Sequence, residues 1–235
     1  KNKKLEHFAY IGTHDLQEPL RKIQTFVHVL EKRIDNPEAR QKYFEKIKSS
    51  AKRMAELIQS VLNYSRLSKT NELWVPTDLN EVFENVKSDF ELLIAEKNAE
   101  IKSEHLPTIN GIPLQLNQLL GNLLSNALKF SIERPVISLS STIVSGDEAV
   151  KNVPQLDRRR GYVILTFNDN GIGFDQQYAE KIFTIFQRLN RREDYAGTGI
   201  GLALCKRIVE NHQGVINARG VPGKGATFVV YLPIE

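Results

Sequence analysis

Between Phe44 and Ser65, apolar or small side chains recur at Phe44, Ile47, Ala51, Met54, Ile58, Val61 and Ser65, in strictly alternating steps of three and four. Only a helix brings such residues into line, and a repeat averaging 3.5 residues is a seam shaped for another helix. Residues 5–34 carry a similar stripe at Leu5, Ala9, Gly12, Leu16, Leu20, Ile23, Val27, Leu30 and Ile34. Two four-residue steps meet at Leu16, so the register slips beside Pro19, which also removes a backbone donor and bends the helix. The intervening IDNPEAR holds an Asn-Pro turn signal, with Asp35 or Asn36 placed to cap the second helix. The spacing predicts an antiparallel helical hairpin over residues 1–67. One hairpin buries little apolar surface, so pairing with a second copy into a four-helix bundle, as a homodimer, is expected.

His14 lies off the stripe of the first helix and is followed by Asp15 and, one turn on, Glu18. Two carboxylates can reach one imidazole. With an unperturbed pKa of ~6.5, a neutral ring held at one nitrogen by a carboxylate exposes the other as a nucleophile near neutrality. A lone histidine on a helix is ordinarily a solvated surface residue, so its role depends on the rest of the chain.

After the hairpin the texture changes. SKTNELWVPTDLN reads as a linker over 68–76, ending in a helix cap at Thr77 or Asp78. Residues 77–235 then give a helix to about 97, a strand near 99–103, a helix over 114–130 and strands near 136–144 and 162–168. A short helix near 177–183, a helix over 201–212 and strands near 215–218 and 226–232 follow. That order predicts an α+β two-layer sandwich. Residues 145–161 are expected as a hairpin loop with the Arg158, Arg159 and Arg160 run at a solvated tip.

The charge is uneven. Residues 1–67 hold 14 Lys or Arg against 8 Asp or Glu, while the whole chain carries a formal +4. The basic residues are interleaved with acids and lack interspersed aromatics, which argues against nucleic acid and for a solvated face or an acidic protein partner. The single cysteine, Cys205, excludes an internal disulfide and fits a reducing, cytoplasmic setting. No apolar run approaches the ~20 residues of a membrane span. A chain that starts in a helix pattern without an initiator Met is expected to be part of a longer protein with an upstream sensor domain, which could itself be membrane-anchored.

Three motifs in the second region carry chemistry. Asn122, Asn126 and Lys129 share one helical face, setting two amide oxygens and an ammonium where Mg²⁺ and phosphate could be held, with Asn126 the candidate metal ligand. Asn168-Asp169-Asn170-Gly171-Ile172-Gly173 follows an apolar strand, and a carboxylate there can accept from the exocyclic amine of a base. Gly197-Thr198-Gly199-Ile200-Gly201-Leu202 opens a helix, where clustered N–H groups suit an anion. The dinucleotide G-x-G-x-x-G spacing is absent, and GKGAT at 223–227 leads into a strand, unlike a P-loop. The polar stretch with Arg188, Arg191 and Arg192 is suited to close over phosphates.

Together these segments resemble the sensor histidine kinases of two-component signalling along essentially the whole chain. THDLQEPL resembles the family's H-box, NLLSNALKF its N-box, and DNGIGF, IFQRL and GTGIGLAL its G1, F and G2 boxes; GKGATF resembles the last glycine box. The resemblance implies a dimerising phosphoacceptor hairpin followed by an ATP-binding sandwich of the GHKL (Bergerat) type shared with Hsp90, MutL and gyrase B. It implies His14 as the phosphorylated residue and Asp15 as its acid/base partner. Asn126 would be the Mg²⁺ ligand, with Asn122, Lys129 and Arg188 near the phosphates of ATP. Phe130, Asp169, Gly171, Gly173 and Thr227 would line the adenine pocket, and Gly197, Thr198, Gly199, Gly201 and Leu202 would form the lid hinge. The phosphoryl group would pass to an aspartate on a response regulator receiver domain. HDLQEPLR looks like kinases attached to PAS or phytochrome-type sensors. Where the family often has Thr or Asn four residues after the histidine, this chain has Glu18, which predicts weak phosphatase action. Two other readings use the same features: a dimerising scaffold with a degenerate kinase domain, and a conformational ATPase, for which the catalytic acid is missing at Asn122.

Overall fold

The structure is a computed structural model that describes residues 2–32, 35–66, 73–189 and 197–234, with side chains from Leu16 onward within those ranges except residue 66. Helix α1 (Asn2–Lys32) runs through Pro19, and α2 (Pro37–Arg66) packs back against it. The Asn36 side chain accepts the Ala39 N–H at 3.0 Å, the capping bond expected of this turn. Phe26 and Tyr43 face each other with ring centroids 6.0 Å apart, and the Lys46 ammonium sits over Phe26.

The seam of α2 is split. Tyr43, Ile47, Ser50, Met54, Leu57 and Val61 are buried or half-buried, whereas Phe44, Ala51, Ile58 and Ser65, one position on, are exposed. Leu57 does not serve the hairpin alone. With Leu16, Val61 and Tyr64 it packs on Ile185, Phe186 and Ile200 of the second domain.

That domain begins with β1 (Val75–Asp78), two residues inside the stretch expected as linker, antiparallel to β3 (Thr108–Gly111). The helix expected to reach residue 97 is two: α3 (Leu79–Asp89), capped by Asp78 as its side chain accepts from Asn80 N–H, and α4 (Glu91–Glu96) beyond a break at Phe90. Ser88 and Asp89, whose short polar side chains compete with the helical backbone, stand at the break. Strands β2 (Glu100–Ser103), β4 (Val136–Val144), β5 (Tyr162–Asp169), β6 (Val215–Val221) and β7 (Gly225–Pro233) form one sheet in the order β2-β4-β5-β7-β6, with β2 parallel to β4 and the other pairs antiparallel.

Helices α3, α5 (Pro113–Lys129) and α7 (Gly201–Asn211) bury Leu119, Leu124, Leu128, Leu204 and Ile208 against Ile137, Val163, Leu165, Phe167 and Val230 of the sheet. This is the α+β two-layer arrangement. The expected loop at 145–161 contains a helix, α6 (Gly146–Asn152). Its Ser145 cap accepts the Glu148 N–H, and Ala149, Val150 and Val153 lie against Tyr162 and Tyr231. The arginine run is solvated, with Arg158 and Arg159 exposed; Arg159 pairs with Asp157 at 3.1 Å and Arg160 donates to Gln213. At the sheet's outer edge, the Gln176 amide accepts the Gly220 N–H at 3.0 Å and donates to the Ala218 carbonyl at 3.3 Å.

Candidate nucleotide site

A cavity of about 350 Å³ opens between α5, the ends of β5 and β7 and the start of α7, within the size range of small-molecule sites. Helical spacing carries Asn122, Asn126 and Lys129 to its wall from α5. Asn122 anchors its own amide by donating to the Gln118 carbonyl at 2.8 Å. At the end of the same helix the Lys129 ammonium lies 4.3 Å from the centroid of the Phe130 ring, and both side chains face the cavity.

Two cations converge there. Arg188 donates to the Gly197 carbonyl at 2.7 Å, and a Cβ added to Gly197 would stand 2.6 Å from Lys129 Nζ. Burial, and then the Arg188 charge, hold the Lys129 ammonium below its ordinary pKa. The opposite charge of a polyanion placed between them would offset both effects. Ile200 supplies no side-chain cap and the first turn of α7 has no acid, so backbone N–H groups and the positive helix end face the same space.

Asp169 occupies the opposite wall. Its Oδ1 accepts the Gly171 N–H at 2.8 Å and the Ala226 N–H at 3.3 Å. Burial raises its pKa despite these two bonds, which lower it. Neither bond uses Oδ2, so the carboxylate retains an acceptor for a ligand donor such as an exocyclic amine. Asn170, beside it, points away: its side chain accepts the Val136 N–H and donates to the Arg134 carbonyl, tying the loop after α5 to the end of β5.

Of the residues singled out in the sequence, Asn122, Asn126, Lys129, Phe130, Asp169, Gly173, Arg188, Gly197, Thr198, Gly199, Gly201 and Leu202 line this one cavity. Gly171 serves it indirectly, through its bond to Asp169. Thr227, expected at the adenine pocket, is not among the lining residues. Alternation along β7 turns Ala226 and Phe228 to the cavity and sends the Thr227 hydroxyl to the other face, where it donates to Asn168 Oδ1 at 2.7 Å. Ser125, Ile172, Phe174, Gln187 and Leu189 also line the wall; they lie within the quoted motifs but had been given no individual role, and Ile182 lies outside every motif. Arg191 and Arg192 lie outside the described residues.

His14 and Asp15 belong to α1, and their side chains lie outside the described set. Glu18 is half-buried and its Oε1 is 3.0 Å from Lys22 Nζ, so its charge is met by a cation on its own helix. Among the described residues no group of three or more His, Cys, Asp or Glu side chains could hold a metal ion, and no helix is long and apolar enough to cross a membrane.

Two family models match. Residues 4–70 match the His Kinase A (phospho-acceptor) domain, and residues 111–235 match the histidine kinase-, DNA gyrase B- and HSP90-like ATPase. The phytochrome-like protein Cph1 of Synechocystis sp. is 36% identical over 99% of this chain and 30% of its own length, and the cyanobacterial phytochrome A of Nostoc sp. is 36% identical over 99% and 29%. The chain thus spans about a third of those relatives. The solved structure of histidine kinase ThkA in complex with response regulator protein TrrA superposes with a TM-score of 0.71 over 98% of this chain and 61% of that one, at 23% identity, and shows the same fold.

Proposed function

Because the chain belongs to the histidine kinases, joining a phospho-acceptor hairpin to an ATPase domain of the gyrase B and HSP90 kind, we propose that it is an ATP-dependent autokinase that phosphorylates His14. The carrying observation is the cavity itself, where a buried carboxylate faces two mutually destabilising cations and an uncapped helix start across about 350 Å³. Asp169 would accept from the adenine amine, and Lys129, Arg188 and the α7 N-terminus would take the phosphates. Asn122 and Asn126 offer hard amide oxygens on the phosphate side without a carboxylate cluster, a donor set that fits Mg²⁺ arriving with the nucleotide. When bound, that ion neutralises phosphate charge. The neutral His14 ring would attack the γ-phosphorus through Nε2 as the bond to the β–γ bridging oxygen breaks and ADP leaves, while Asp15 takes up the Nδ1 proton.

The phosphoryl group would then pass to an aspartate on a receiver domain, consistent with the regulator bound to ThkA. The exposed edge of the α2 seam, with Phe44, Ile58 and Leu62, supports a homodimer. The proposed setting is a cytoplasmic kinase module following a sensor domain, a reading that the greater length of the phytochrome-like relatives leaves room for. Incubation with Mg·ATP should leave acid-labile, base-stable phosphate on the protein, and His14→Gln should abolish it with ATP affinity unchanged within about threefold. Phosphate retained by His14→Gln would refute the assignment.

A further inference from the structure

The helices that frame the cavity, α5 and α7, are tied at their far ends by a buried histidine that the proposed chemistry does not use. His212, 1% exposed, caps α7. Its Nδ1 is 2.8 Å from the Ile208 carbonyl, and its Nε2 accepts the Ile112 N–H at 3.0 Å. A carbonyl only accepts and a backbone N–H only donates, so the two bonds together select the neutral ring with its proton on Nδ1. Ile112 is the N-cap residue of α5 and gives no side-chain cap, so the imidazole supplies the acceptor for a buried N–H at the helix start. Alongside, Asn211 donates to the buried Gln115 at 3.3 Å. At the cavity end the same two helices nearly touch, since a Cβ on Gly201 would lie 3.3 Å from Asn122 Oδ1. The tie therefore fixes how far α5 slides along α7, and with it the spacing of Asn122 and Lys129 from the 197–201 segment.

The other side of this ring carries Trp74, with centroids 4.9 Å apart and planes tilted by 46°. Trp74 directly precedes β1, and β1 pairs with β3, whose last residue, Gly111, precedes Ile112. The segment between the domains thus reaches the tie twice, once through an aromatic contact and once through a strand ladder. We propose that His212 is a positioning residue for the phosphate end of the site, and that Trp74, seated on it, couples the interdomain segment to the register of α5 on α7.

This inference rests on the ATP reading of the cavity, and the test separates the two. Trp74 is the only tryptophan, so its emission reports on the tie. In the 235-residue chain, Mg·AMPPNP binding followed by calorimetry should be accompanied by a change in Trp74 emission. His212→Phe, which keeps a ring but removes both hydrogen bonds, should abolish that change and slow autophosphorylation at saturating ATP at least tenfold. Adenosine, which reaches only the Asp169 wall, should bind within threefold of the parent. Trp74→Ala, at a half-exposed position, should slow autophosphorylation at least threefold with AMPPNP affinity kept within threefold. Calorimetric binding of AMPPNP with no emission change in the parent would overturn the inference alone, as would equal losses of adenosine affinity and rate in His212→Phe, or an unchanged rate in Trp74→Ala. Absence of AMPPNP binding to the parent would overturn the ATP reading and this inference together.

Discussion

Asp169 sets binding against stability. Its carboxylate is desolvated, and both neighbouring N–H groups bond to the one oxygen that an asparagine would also present. A carboxyl whose pKa is raised on folding contributes most to stability while protonated, and that contribution is lost as pH climbs from the ordinary carboxylate value through the raised one. Asp169→Asn should therefore weaken ATP binding at least tenfold by calorimetry, yet raise the melting temperature of the unliganded protein at pH 7. The gain should shrink as the pH falls towards 4. Gly225 and Gly223 make a second contrast within one turn. Gly225 has φ +107°, and a Cβ there would lie 1.9 Å from the Asp169 carbonyl; Gly223 has φ +73° but nothing within 4 Å. Gly223→Ala should cost about 1 kcal/mol in urea unfolding, the penalty of the left-handed region alone. Gly225→Ala should cost about 3 kcal/mol or more and perturb nucleotide affinity as well, because β7 must move off Asp169. The sequence motif marked these glycines without distinguishing the one that the sheet presses upon from the one that merely turns.

Elements long enough to show a period were readable; among the four-residue strands β2 was anticipated, whereas β1 and β3 were not. The stripes of α1 and α2, the amide face of α5 and the apolar strands β4, β5 and β7 emerge from spacing alone, because each presents several turns or alternations to one core. Strands β1 and β3, of four residues each, have too few alternations to register, and their pairing joins residues thirty or more positions apart. The direction of the Thr227 side chain was hidden for a related reason: a box of neighbouring letters does not tell which face of a strand each one takes. Helix α6 was legible in principle, since Ser145 followed by Glu148 is a capping pattern. Ser145→Ala should cost about 1 kcal/mol and lower the melting temperature by a few degrees, a loss visible in calorimetric scans, while leaving autophosphorylation unchanged. The stripe of α2 was found only in part, since Ile47, Met54 and Val61 turn inward while Phe44, Ala51, Ile58 and Ser65 are exposed; Leu57, off the stripe, is buried with Phe186 and Ile200, far along the chain and without any periodic relation to it.

Across the whole molecule, charge and surface determine behaviour in solution. Residues 1–67, which include His14, carry an excess of Lys and Arg, and under the proposed transfer an acidic receiver pocket would be steered to that charge. Raising NaCl from 50 to 300 mM should therefore slow phosphoryl transfer to the regulator more than it slows autophosphorylation, because screening acts on encounter between separate bodies more than on a reaction already assembled. Equal salt slopes would exclude steering. The sheet, finally, has to stop somewhere. At β6 a single glutamine amide occupies an outward-facing N–H and carbonyl that would otherwise be open to a passing strand. Gln176 thus acts on shelf life and not on catalysis: Gln176→Ala should leave dilute samples active but let concentrated ones scatter light within hours, as edges exposed on separate molecules find one another.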